Sequence, residues 1–399
     1  MEGKGQRCVQ GIRATIYDNK IWMFDRWINA LFSMDIETGK TEYVLSIENE
    51  PKYQEALVSH IVGYNNKLFL NPSSAQSAVL VDLETMKQTK IPLERRENIC
   101  GVKNSNVVQE DSLIYMFPKL YGDDILIYDI DKGVTEKVSI DYSFLERNNI
   151  SIEGFSWGCG CRVKDGYCMS IINTPGIFYL WDSGKWGYYK ANTRNVGFGN
   201  CIICDNDIIL LPYRGKDIMV FHVKDRGFDK LHFSKKIIGK NNVPYTAIAS
   251  VKTKLVFFPA EEKNIVIYDL KTQEIILHDI FDSRFYDCKV YGELIYGFPY
   301  VGNYIIAINI DTNEIKKINM FFPNQYKGIQ FVDYWINQTP YLEQEKCLYT
   351  ERVLSIQDYM KYILNQDKNL NRRENNNCGL KILNDILIDF KGVCNEVEK

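Results

Sequence analysis

Only 4 of the 399 residues are histidine, so few side chains can exchange a proton near neutral pH. No Ser-His-Asp order, phosphate-cradling glycine loop, H-E-x-x-H or repeated metal-ligand spacing occurs, which removes the usual sequence signs of triad hydrolysis, nucleotide binding and zinc catalysis. No block of like charges stands out among 48 basic and 51 acidic residues, and the net charge is −3. The electrostatic footprint of a nucleic-acid binder is therefore missing. No apolar run is long enough to span a bilayer, and "MEGKGQRCVQGIRATIYDNK" lacks the basic, apolar, small-residue order of a secretion signal. A soluble, cytoplasmic chain without membrane association is expected. Eleven cysteines are plentiful, but their odd number without a signal argues for free, packed thiols rather than a disulfide framework.

What the chain does have is a repeat. "NIVIYDLKTQEI", from Asn264, has relatives in "NALFSMDIETGKTEYV", "SAVLVDLETMKQTKI", "DILIYDIDKGVTEKV" and "YIIAINIDTNEIKKI", with diverged copies in "IFYLWDSGKWGYYK" and "DIMVFHVKDRGFDKL". The residues opening their turns are Asp35, Asp82, Asp129, Asp182, His222, Asp269 and Asn309, at spacings of 40 to 53 residues, the period of propeller blades. An Asp or Asn there accepts backbone hydrogen bonds from the turn it opens, so it reads as a folding device. Upstream of each hairpin lies a second strand pair, usually ending at a proline: Pro72, Pro118, Pro212, Pro259 or Pro299. Four short strands per unit and seven units predict an all-β, seven-bladed β-propeller of four-stranded antiparallel blades over residues 1–325.

The apolar-Tyr-Asp-x-x-Thr turn after a hydrophobic strand and loop resembles the Kelch-type repeat, the family of the galactose oxidase central domain. The resemblance spans roughly residues 11–320 and implies the propeller architecture. It departs from the family where Phe-Pro or Leu-Pro replaces the Gly-Gly pair, so no functional residues follow from it.

Residues 326–399 read as a C-terminal α-helical extension. Ile356, Tyr359, Met360, Ile363 and Leu364, then Leu380, Leu383, Ile386, Leu387 and Phe390, fall at helical spacing. These two amphipathic helices are expected to pack on the propeller or to dock a partner.

Candidate sites follow from the geometry of blades. Arg13, His60, Ser105, Gly160, Asn200, Ala247 and Tyr286 align at the starts of the innermost strands, where they would ring one mouth of the central channel. Among them, His60, Arg13 and Tyr286 are the candidates for a lyase or hydrolase constellation. Arg26, Trp27, Tyr121, Tyr213, Arg214 and Tyr300, in loops on the same face, supply side chains enriched at binding hot spots and suited to stacking on sugars. Asn200 joins them as a ligand-binding candidate, and Trp157, with Glu153, is placed on the rim by the long connection between blades three and four. "GCGC" and "CIIC" look like metal ligands, but a strand-borne C-x-x-C sends its thiols to opposite faces, so no metal and no cofactor are expected. The preferred expectation is a non-catalytic binding or scaffold protein for a protein, peptide or carbohydrate-like ligand.

Overall fold

The computed structural model describes residues 9–10, 13–26, 28–51, 56–93, 104–231, 243–260, 262–279, 284–302 and 304–321. They all fall in the first of the chain's two units, residues 1–350. The expected C-terminal helices lie outside the described residues, as does Trp27.

Seven four-stranded antiparallel sheets follow one another along residues 13–45, 58–91, 104–138, 157–190, 197–231, 245–279 and 285–319, and within each the strands pair in chain order. This is the predicted seven-bladed architecture. Second strands are near-continuous apolar runs because both faces of each blade are covered. In Lys67–Pro72, Leu68 and Leu70 pack against blade one while Phe69 packs against blade three. In Asp207–Arg214, Ile208 and Leu210 face blade four while Ile209 and Leu211 face blade six. Period-two alternation thus turns one apolar run into two interfaces.

Each described core cluster lies between two neighbouring blades, and one of them closes the ring. Ala14, Met23 and Phe32 of blade one pack with Phe298, Ile305 and Ile318 of blade seven. A second closure device is polar: Phe321, just beyond blade seven, donates its N–H to the Gly39 carbonyl (2.9 Å) and accepts from the Thr41 N–H (3.0 Å). Gly39 has φ +71°, and an added Cβ would collide with the Asn319 carbonyl oxygen. Glycine is required there both for its left-handed backbone and for the closeness of the last strand.

The repeated turn residue does what its chemistry allows. The Asp269 carboxylate accepts from the Lys271 and Thr272 N–H groups (2.8 and 3.0 Å), and Asp35, Asp82, Asp129 and Asn309 make equivalent bonds. In the diverged blades the position is used differently. Asp182 takes two bonds from the Arg162 guanidinium (2.8 and 2.9 Å), and the His222 ring lies between Asp207 (2.9 Å) and Asp229 (3.0 Å).

One feature of the innermost strands escapes the hydrophobic pattern. Opposite the proline that ends the second strand, blades two, three, five, six and seven each carry one extra residue: Ser59, Ser105, Gly199, Thr246 and Tyr286. Such bulges bend a strand and re-aim side chains.

Candidate functional site

Register corrects the ring proposed from sequence. Arg13, His60, Asn200 and Ala247 sit opposite Phe24, Asn71, Leu211 and Phe258, but the equivalent residues are Asn106 in blade three (opposite Phe117) and Asp287 in blade seven (opposite Phe298). In those two blades the apolar pattern is one residue out of step, because Leu113 and Leu294 are apolar where Lys20, Lys67, Asp207 and Lys254 open four of the other second strands. In blade four Gly160 is opposite Met169, one place beyond the ring, and packs against Phe117 so tightly that no Cβ fits. Cys159, whose N–H bonds to the Ser170 hydroxyl (3.0 Å), reaches the channel instead.

The channel mouth holds a cavity of about 460 Å³ to which every blade contributes. Arg13, His60, Asn106, Cys159, Asn200, Thr246 and Asp287 supply one side chain each from blades one to seven, so the cavity lies on the propeller axis. Thr246 is itself a bulge residue, and three more of these, Ser105, Gly199 and Tyr286, also line it. The bulges therefore turn a second set of residues toward the channel, which explains why Tyr286 is present although it is off the ring.

Within the cavity Arg13 is held by Tyr286: its guanidinium lies 4.0 Å from the ring centroid and donates to the phenol oxygen at 2.7 Å. Arg26 repeats the arrangement with Tyr300, donating to its phenol at 2.6 Å, and the Tyr286 and Tyr300 rings meet edge to face at 5.8 Å. The two cations and two tyrosines form one row along the rim of blades one and seven. Across the mouth, Tyr213 and Arg214 are exposed, and both line the cavity.

His60 faces the cavity and keeps some accessible surface, yet the inner strands surround it. That burial, and then the positive charges of Arg13 and Lys289, pull its pKa well below the ordinary histidine value, so the ring is neutral at pH 7. Its ring nitrogen lies 3.3 Å from the Ser59 hydroxyl. Lys289 pairs with Asp287 at 3.0 Å, and the Asn200 amide bonds to the Thr246 carbonyl at 2.9 Å, tying blade five to blade six.

Other candidates lie elsewhere. Trp157 is fully buried, which removes it from the rim. A short helix, Ser143–Arg147, inside the long connection brings Phe144 against its indole (centroids 5.8 Å apart), and the indole N–H donates to the Tyr142 hydroxyl at 3.1 Å. Tyr121 is 37% exposed at the edge of this aromatic group, against Tyr142 and Phe155. The thiols of "CIIC" do part: Cys201 packs toward blade four and Cys204 toward blade six. Burial pushes the Cys159 and Cys288 thiols up, away from the reactive thiolate form. Among the described residues no group of three or more His, Cys, Asp or Glu is arranged to hold a metal ion.

Fold and site together define a seven-bladed β-propeller with a polar, aromatic cavity at one channel mouth. Solved structures similar in fold include virginiamycin B lyase from Staphylococcus aureus (13% identity, TM-score 0.57, covering 74% of this chain and 97% of that one). They also include the Swd1 β-propeller domain of Myceliophteria thermophila (7%, 0.52, 79% and 98%). A third is YCF48 bound to D1 peptide (10%, 0.53, 77% and 95%). At these identities the likeness is one of fold. No protein-family model matches the chain, and no curated protein matches it. No helix among the described residues is long and apolar enough to cross a membrane.

Proposed function

We propose that the chain is a non-catalytic binding or scaffold protein whose channel-mouth face recognises a segment of a protein or peptide. The observation that carries this reading is the axial cavity, built by all seven blades and bordered by paired guanidinium and tyrosine side chains. Its volume, about 460 Å³, suits one or two residues of an inserted segment. Arg and Tyr on a rigid, concave floor are the ingredients of a hot spot. Virginiamycin B lyase shows that a similar fold hosts an enzyme, and YCF48 that it takes a peptide. Against the enzymatic expectation stands the geometry of its three residues. They share one cavity, but Arg13 is engaged by Tyr286 and His60 meets the Ser59 hydroxyl, a partner that does not titrate. The Kelch-type kinship belongs to the same proposal and rests on the hairpins opened by Asp35, Asp82 and Asp269, each followed by Thr at the third place.

Selection of displayed peptides on the immobilised full chain tests the reading. Selected peptides should lose roughly tenfold or more in affinity for Tyr213→Ala, a change at an exposed rim residue that leaves the core intact. Equal binding to both chains, or no enrichment of any peptide, would count against it.

A further inference from the structure

The chemistry of the cavity specifies its ligand more narrowly than "peptide". Resting on the binding reading above, we infer that the mouth cavity is a carboxylate site, taking an acidic side chain of the bound segment against Arg13.

The charges in the lining point that way. Arg13, Arg214 and Lys289 are cationic, and Asp287, which Lys289 already neutralises at 3.0 Å, is the carboxylate set among them. In a chain of net charge −3 the lining of this cavity sets three cationic side chains against one carboxylate. A concave, low-dielectric site focuses such a field onto an incoming anion.

Arg13 is also prepared for the contact. Tyr286 covers its guanidinium at 4.0 Å and accepts one N–H at 2.7 Å, fixing the plane of the fork while leaving other donors for a ligand. No carboxylate pairs with Arg13 or with Arg214 among the described residues. A guanidinium oriented by an aromatic ring and lacking an internal counter-ion matches a planar carboxylate bidentately. The neutral His60 ring and the Asn200 amide add polar groups without adding negative charge, and burial together with Arg13 and Lys289 is what keeps His60 neutral.

The experiment is calorimetric titration of the full chain with citrate, inorganic phosphate, and a pair of blocked tetrapeptides, one alternating Ala and Glu, the other alternating Ala and Gln. The inference expects citrate and the Glu peptide to bind, the Gln peptide to bind at least tenfold more weakly, and Arg13→Gln to weaken the Glu peptide by roughly tenfold or more. Arg214→Gln, an exposed change, should weaken it several-fold and reduce its salt dependence, so the test survives if Arg13→Gln fails to fold. Equal binding of the two peptides overturns the carboxylate site while leaving peptide recognition standing. Citrate binding without either peptide supports the carboxylate site and removes the peptide reading. Binding of phosphate with no response to citrate or the Glu peptide, or binding of none of the probes, overturns the inference.

Discussion

Two histidines on this propeller are driven in opposite directions by their surroundings. His60, desolvated at the channel mouth and facing Arg13 and Lys289, has a pKa well below 6.5, whereas His222, although burial opposes it, is raised by its bonds to Asp229 and Asp207. The linkage signs differ accordingly. His222 contributes stability that is fully present below the unfolded value of about 6.5 and is lost as pH rises through its higher folded pKa. His60 is buried neutral, so its site loses stability as pH falls from about 6.5 toward its lower folded pKa. Nitrogen-detected NMR titration should show His222 protonating above pH 6.5 and His60 remaining neutral below it. A His60 midpoint above that of His222 would contradict the placement of His60 among cations.

At the scale of strands and turns, the hairpins were legible because their chemistry is local. An Asp opening a turn needs only the N–H groups two and three residues on, and the proline that ends a second strand marks the end of its ladder. The bulges were not legible. A single extra residue opposite Pro72, Pro118, Pro212, Pro259 or Pro299 leaves the apolar pattern of the second strand untouched, so alignment on that pattern cannot detect it. Trp157 lies in the core and not on the rim, which is not legible for a related reason: nothing in "SFLERNNISIEGFSW" shows that a one-turn helix folds back to cover the indole. Another turn feature emerges only in three dimensions. Four places after the turn-opening residue the backbone is left-handed in six blades, at Gly39, Met86, Gly133, Arg226, Gln273 and Asn313. Gly133 has open space where a methyl group would stand, so Gly133→Ala should cost only the left-handed strain, about 1–2 kcal/mol. Gly39→Ala has nearly the same φ but also collides with Asn319, and denaturant titration should find it the more destabilising of the two. Equal losses would mean that blade seven does not close against this turn.

For the whole molecule, the ring turns seven weak local similarities into one axial feature. Inner strands all start at the same end, so residues far apart in sequence, such as Arg13 and Tyr286, meet there at hydrogen-bonding distance. The convergence of Arg13, His60 and Asn200 could be anticipated from the repeat alone, since it depends only on where each blade begins, whereas Tyr286 reaches the cavity through a bulge. The net charge of the mouth could not, because it depends on which residues the bulges and the Asp287–Lys289 pair turn inward. The central claim is that this face, and not the opposite one carrying the Asp-opened turns, receives the ligand. Hydrogen exchange of the full chain with and without the alternating Ala and Glu peptide tests it most directly. The account predicts added protection at the starts of several innermost strands, around Arg13, His60, Asn200 and Tyr286, with the turns at Asp35, Asp82 and Asp269 unchanged. Protection confined to those turns would contradict it.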